Sequence, residues 1–278
     1  MIGTRIEEFV GRFTEQKADA LVLLKPVERP GNFGVAVVDE RGVGSLGCGA
    51  RLDLHPGRRS IVQHYRLPPE KVRVIQPGYD PNVFFSNGFD PFSAPSEEPY
   101  LLYVGNVLPH KNLLRVLDAL AILWRRRPCR LLIRGEGRPA HVQAVRERVE
   151  TLGLCDAVAF LEYTEARGLR DLYTRAACLV LPSMGEGFGL PVLEAMACGT
   201  PVVTANTSSL PEVAGDAALL VDPNDAVALA DAVHRVLTDR DLREDLRRRG
   251  FQRAALFSWG QTAEQVSKLL DAIRDGGV

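Results

Sequence analysis

The sequence predicts an α/β protein: a Rossmann-like, doubly wound parallel sheet preceded by a short, reduced α/β section. Three observations carry this. From Pro99 onward, short apolar runs alternate with longer amphipathic ones. The apolar runs lack polar alternation, as strands covered on both faces do. Several end in glycine or small residues, as in "YVG", "IRGEG" and "LPSMGEG", at the strand ends where such sheets hold ligands.

Taken in order, "TRIEEFVGRFTEQK" reads as an amphipathic helix, "ALVLLK" and "FGVAVVD" as strands, "GRRSIVQHYRL" as a helix and "VRVIQPG" as a strand. Between them "RGVGSLGCGARLDLHPG" is glycine-rich and carries no periodicity. These elements form a reduced N-terminal section, residues 1–85. The stretch "SNGFDPFSAPSEEP", residues 86–99, is rich in Pro, Ser and acids and reads as a linker. Residues 100–278 form the large domain. Its strands are "YLLYVG", "RLLIRG", "AVAFL", "CLVLPS", "PVVTA" and "AALLV". Helices are expected from about Asn112 to Trp124, through "HVQAVRERVETLG", at "LRDLYTRA" and "PVLEAMAC", and from "DAVALADAVHRVLTD" through "EQVSKLLDAI".

The 278 residues are 46% hydrophobic and 25% charged, the make-up of a globular chain with a real core. A net charge of -1 argues against a nucleic-acid partner. The five cysteines are widely spaced and read as free thiols of a reducing compartment, hence a cytoplasmic location. No apolar stretch has bilayer length and the N-terminus lacks a signal-peptide core. Arg125–Arg127 and Arg247–Arg249 either end helices, where cations suit the dipole, or offer a basic face for peripheral attachment at the inner membrane surface. No Cys-x-x-Cys or His-x-x-x-His spacing is present, so no metal and no cofactor is expected.

The stretch "SMGEGFGLPVLEAMACGTPVV" carries the chemistry. Pro191 suits the first helical position and Gly199 the residue past the end. The helix therefore begins near Leu190, and its free amides make an anion cradle with Gly187, Phe188 and Gly189. Glu194 is expected in the first turn. It either stabilises the dipole there or, if buried, requires a partner such as a ligand's hydroxyl pair. Lys111, at another helix start, reads as a solvated lysine or, since cations are disfavoured there, as the holder of a bound anion. Arg134 closes a strand and is either a second such cation or a strand-end charge. His110 reads as an exposed turn residue, and Glu212 either caps the next helix, the favoured reading, or approaches the ligand.

"PSMGEGFGLPVLEAMACGTPVV" with "SSLPEVAGDAALLVDPND", "YVGNVLPHKNLLRVLDAL" and "RAALFSWGQTAEQV" resembles the retaining glycosyltransferases of family 4, a group 1 family with the GT-B fold. Glu186 and Glu194 match its E-x7-E pattern, and the resemblance runs from about Ile61 to Ile273. It implies that residues 100–278 are the C-terminal domain binding a nucleotide diphosphate sugar, UDP-, GDP- or ADP-linked. Glu194 would hold the ribose hydroxyls. Glu186 would lie beside the donor sugar and Lys111 would neutralise the diphosphate leaving group, making these two the catalytic residues. The amides of Gly187, Phe188, Gly189 and Leu190 would contact sugar and phosphates, with Gly105, Asn106 and Arg134 nearby. The base would lie near Leu161, Glu162 and Tyr163.

The chain departs from that family at Asn106, where an arginine is usual, and at the front, where only "RRSIVQHYRLPPEKVRVIQPGYDPNVF" resembles the acceptor domain's closing segment. Around "ADALVLLKPVERPGNFGVAVVDERG" the front weakly resembles an internal piece of sugar-phosphate nucleotidyltransferases. The expectation is a glycosyltransferase truncated on its acceptor side, with a glycan or glycolipid acceptor. The alternative is a nucleotide-sugar binding module, inactive alone, that relies on a homodimer or a partner subunit in place of the acceptor domain.

Overall fold

The computed structural model describes residues 75–92 and 99–274, together with a short antiparallel pair, β1 (Ala36–Val37) and β2 (Gly44–Ser45). β1 falls inside the expected strand "FGVAVVD", and β2 inside the glycine-rich stretch that offered no periodic signal. The expected elements "TRIEEFVGRFTEQK", "ALVLLK" and "GRRSIVQHYRL" lie outside the described residues. Of "VRVIQPG", residues 75–78 are described and are not in regular structure.

The chain divides into two compact units: Tyr79–Ser258, and Met1–Gly78 with Trp259–Val278. The first holds a six-stranded sheet: β3 (Tyr100–Val104), β4 (Arg130–Arg134), β5 (Val158–Leu161), β6 (Ala176–Leu181), β7 (Val202–Ala205) and β8 (Leu219–Val221). Spatial order is β5-β4-β3-β6-β7-β8, and every neighbouring pair is parallel. Helices α1 (Leu113–Trp124), α2 (Pro139–Thr151), α3 (Ala166–Arg175), α4 (Leu190–Cys198), α5 (Leu210–Ala214), α6 (Ala226–Thr238) and α7 (Arg240–Ala254) connect or follow the strands. The expected doubly wound parallel sheet is therefore observed, but the unit that holds it is Tyr79–Ser258 rather than 100–278, and Trp259–Val278 falls in the other unit.

The physical causes are local and legible. All six residues of β6, "AACLVL", are buried, as a central strand's must be. α1 buries Leu113, Val116, Leu117, Leu120 and Leu123, a stripe at helical spacing. α4 is buried almost throughout, because α3 and α7 both pack upon it. Asp225 and Asp239 cap α6 and α7, each accepting from amides of the first turn. Strand order reverses between β3 and β6. Their outgoing connections diverge there, and in sheets of this kind that divergence forms the ligand crevice at the strands' carboxyl ends.

Part of the expected linker is docked on this unit. Arg175 stacks on Phe89 and Arg243 on Phe92, at 5.4 and 3.8 Å, and Arg170 stacks on Phe85, the residue before the expected linker, at 4.9 Å. Arg247 adds a contact to Asp90 at 3.7 Å. The arginine runs divide accordingly. Arg125–Arg127 follow the end of α1, as expected, whereas Arg247–Arg249 lie inside α7. There Arg248 and Arg249 pair with Asp245, each at 2.5 Å, so local carboxylates explain the run rather than the dipole. In the second unit, α8 (Trp259–Arg274) is held near its start by Thr262 Oγ1, which donates to the Gln76 carbonyl at 2.8 Å.

Past the ends of β3 and β4 the two backbones remain in contact: the Gly105 amide donates to the Arg134 carbonyl at 3.1 Å. A Cβ on Gly135 would stand 1.8 Å from the Gly105 carbonyl oxygen. Gly135→Ala should therefore cost about 3 kcal/mol by forcing backbone apart. For a unit of this size that lowers Tm by roughly 6–12 °C, as calorimetry would register; an unchanged Tm contradicts the close approach.

Candidate functional site

The crevice is built from two loops stitched together. After β3 the chain makes a single 3-10 turn, Pro109–Lys111, and then Asn112 takes a left-handed conformation, φ 60°. Asparagine tolerates that region better than most residues. Its side-chain amide also donates to the carbonyls of Pro182 at 3.0 Å and Pro223 at 2.6 Å. The first loop is thus pinned to those after β6 and β8. The Met184 amide adds a bond to the His110 carbonyl at 2.8 Å. Burial, with help from Lys111, lowers the His110 pKa and favours the neutral ring. His110 is half-buried rather than an exposed turn residue.

This stitching brings Lys111 against Glu186. Lys111 Nζ lies 2.6 Å from Glu186 Oε2, and Ser183 Oγ donates to Oε1 at 2.9 Å. Their side chains are 17% and 8% exposed, so the pair is mostly shielded from water yet reachable. The Glu186 backbone is held by Ser208 and Ser209, which lie before α5.

α4 then opens at Leu190 with Gly189 as its N-cap at φ 110°, a backbone glycine adopts readily. No side chain caps this end, so its first amides point toward the loop Gly187–Gly189. The Phe188 ring turns away to pack edge-on against Phe257 at 5.8 Å.

Glu194 is the fifth residue of α4, in the second turn rather than the expected first, because the helix opens at Leu190 and Pro191 follows. The dipole falls off within the first turn, which leaves the dipole-cap reading little force. The residue is only 7% exposed. Tyr173, itself fully buried, donates its hydroxyl to Glu194 Oε2 at 2.8 Å. A protein group thus supplies one partner where the sequence suggested only a ligand. Burial pushes the Glu194 pKa up to about 7, against the Tyr173 hydrogen bond and the charge of Arg134.

Arg134 closes β4, and its guanidinium lies 5.0 Å from the ring centre of Tyr163, which is 63% exposed. Arg134 Nη2 reaches the Thr164 carbonyl at 3.4 Å, while Nε is buried without a hydrogen-bond partner. Leu161 ends β5, and Glu162 and Tyr163 follow it, both exposed. Gly105 and Asn106 follow β3, and the Asn106 carbonyl accepts from Tyr103 Oη at 3.0 Å. Glu212 is exposed in the first turn of α5 and makes no side-chain cap there.

Lys111, Glu186 and the mouth of α4 therefore meet around the switch point between β3 and β6, with Arg134 acting on Glu194 from β4. Sequence reading missed Ser183, Ser208, Ser209, Asn112 and Tyr173. Four of these five reach partners more than twenty residues away. Nothing local in "SSLP" signals what its hydroxyls hold. Among the described residues no group of three His, Cys, Asp or Glu could hold a metal ion, and no helix is long and apolar enough to cross a membrane.

Glu194 makes stability pH-dependent with a definite sign. Its folded pKa of about 7 exceeds the ordinary 4.5, so the folded state binds more protons in that window and loses stability as pH rises from 4.5 to 7. Urea unfolding should show a loss of about 3 kcal/mol across the window. Glu194→Gln should flatten it; identical pH profiles for both proteins contradict the assignment.

Comparison with known proteins gives the same picture. The chain is 38% identical to an O-antigen chain mannosyltransferase B of Escherichia coli over 168 residues, 60% of this chain and 44% of that one. It is 32% identical to a D-inositol 3-phosphate glycosyltransferase of Corynebacterium glutamicum over 236 residues, 79% and 56% of the two chains. Among solved structures it resembles a sucrose-phosphate synthase from Thermosynechococcus elongatus, TM-score 0.70 and 30% identity, covering 80% and 57%. It shares the fold of Anabaena HepE, solved with UDP and glucose, TM-score 0.69 and 21% identity, covering 77% and 60%. The chain thus spans about half the length of the curated relatives it matches. The family model for glycosyl transferases group 1 matches residues 86–253, and with strand order, crevice and relatives in agreement, the chain belongs to that family.

Proposed function

We propose that the unit Tyr79–Ser258 binds a nucleotide diphosphate sugar, and that the chain works as a family 4 type glycosyltransferase which transfers the sugar with retention of configuration. The observation that carries this is Glu194. It is a carboxylate inside a buried helix, beyond useful reach of the dipole, with one oxygen held by Tyr173 and the other accepting no hydrogen bond from the described residues. A ribose hydroxyl is a fitting donor for that second oxygen, and solved HepE, which shares the fold, holds UDP. Group 1 relatives such as the mannosyltransferase and the inositol-phosphate enzyme are transferases by name.

On this reading Glu194 orients the nucleoside, with Tyr163, Leu161 and Glu162 bordering the base and Arg134 beneath it. The amides of Gly187, Phe188, Gly189 and Leu190, with Gly105 and Asn106 opposite, face the diphosphate and sugar. Lys111 supplies the charge that stabilises the departing diphosphate. Glu186, freed from Lys111 as the phosphates take the ammonium, contacts the sugar and stabilises positive charge at the anomeric carbon. As the bond from anomeric carbon to phosphate oxygen breaks, the acceptor oxygen bonds to the same face and passes its proton to the departing phosphate. The glycan or glycolipid acceptor lies outside what this unit would hold. The buried free thiols Cys129, Cys178 and Cys198 suit a reducing, cytoplasmic setting.

A second reading, a nucleotide-sugar binding module that acts with a partner chain or a second copy, fits a described site whose assigned residues all serve the donor. Both readings predict that UDP, GDP or ADP raises Tm, by roughly 5–10 °C at a hundredfold excess over Kd. Glu194→Ala should abolish the rise. Lys111→Met should weaken the diphosphate roughly tenfold to a hundredfold, as loss of a charged hydrogen bond does. Release of free nucleotide from the matched sugar donor in the presence of acceptor separates enzyme from module. No thermal response to any nucleotide defeats both.

A further inference from the structure

Ser208 is one of two non-glycine residues with positive φ among the described residues, at 63°. The other, Asn112, is a side chain suited to that region. Serine is not, and a residue kept in a sparsely populated conformation must be over-determined by its surroundings. Here the surroundings include the backbone of Glu186. Ser208 Oγ accepts from the Glu186 amide at 2.9 Å and donates to the Glu186 carbonyl at 2.7 Å. One hydroxyl thereby ties both polar groups of a single residue across 22 positions of sequence.

Ser209 reinforces the grip. It occupies the N-cap of α5, where serine ordinarily accepts from the helix amides, yet it makes no side-chain cap. Its hydroxyl instead reaches the carbonyls of Phe188 at 2.8 Å and Glu186 at 3.1 Å. Two adjacent hydroxyls are thus diverted from their local uses onto the loop that leads into α4. The carboxylate they aim is held separately by Ser183 and Lys111. Donor phosphates that draw Lys111 away would leave that carboxylate with Ser183 and the direction set by its own backbone.

We propose that Ser208 is a positioning residue: its hydroxyl, supported by that of Ser209, fixes the Glu186 backbone and so the approach of the Glu186 carboxylate to the sugar of the bound donor. The inference rests on the donor-site reading above. It assigns the recognition of the sugar, as distinct from the nucleotide, to a clamp contributed by the β7–α5 connection. Glu194 and Lys111, which serve the nucleoside and the diphosphate, are not part of the clamp.

The test compares binding of UDP-glucose, GDP-mannose and ADP-glucose with that of UDP, GDP and ADP by calorimetry. The proteins are the wild-type chain, Ser208→Gly and Ser208→Ala. Glycine accepts the left-handed backbone freely, so Ser208→Gly should keep its Tm while losing the hydroxyl. In the wild type, one nucleotide sugar should bind more tightly than its own nucleotide. Ser208→Gly should retain nucleotide affinity within about twofold and lose roughly fivefold or more of the sugar's advantage, the scale of one lost hydrogen-bonding constraint. Ser208→Ala, if it folds, should do the same. A sugar advantage preserved in Ser208→Gly, or absent from the wild type, overturns the proposal while leaving nucleotide binding standing. If the wild-type chain binds no nucleotide at all, the donor-site reading falls and the clamp with it.

Discussion

A single buried carboxylate constrains most of this molecule. Glu194 stands in the second turn of a helix that is apolar at nearly every other position, covered by α3 and α7. An unpartnered charge there costs several kcal/mol, so the surroundings must either neutralise it or hold it. They do some of each. Tyr173 donates one hydrogen bond, Arg134 contributes opposite charge from the end of β4, and burial still raises the pKa to about 7. A site poised between protonation states near neutrality is typical of groups with a binding or chemical task.

The rest of the crevice follows from where that helix begins. β6 delivers the chain to the switch point, Gly189 turns it, and α4 leaves with its amides toward the diverging connections. Asn112 and His110 tie the loop after β3 to the loop after β6, which puts Lys111 on the acid of the turn. A preformed ion pair of this kind keeps two charges satisfied in the absence of a ligand. It also leaves both available once a polyanion competes for the ammonium.

Much of this was legible in the sequence because it is governed by local or periodic physics. The strands of residues 100–254 follow from apolar runs and most of the helices from longer amphipathic or apolar runs, though the short α5 was not among those expected, and Gly199 marks the end of α4 at φ 80°. Lys111 and Glu194 could be named because a lysine at a helix start and an acid in an apolar run are locally anomalous, and Glu186 through the resemblance to the E-x7-E pattern. Tyr173, Asn112 and Ser208 could not be, because each looks ordinary in its own segment and gains meaning from a partner far along the chain. Arg247–Arg249 misled for the opposite reason. A run of cations suggests a helix end, but here Asp245 and Asp216 answer it from within and beside the helix. The linker expected at 86–99 was inferred from composition, which has no access to the arginine–aromatic stacks at Phe89 and Phe92.

The most direct test of the account is a crystal structure of the chain with the nucleoside diphosphate bound. The account predicts ribose hydroxyls within about 2.6–3.2 Å of the free Glu194 oxygen, with the diphosphate between Lys111 Nζ and the amides of Gly187 to Leu190. A nucleotide bound elsewhere, or bound in the crevice with its ribose away from Glu194, would contradict it.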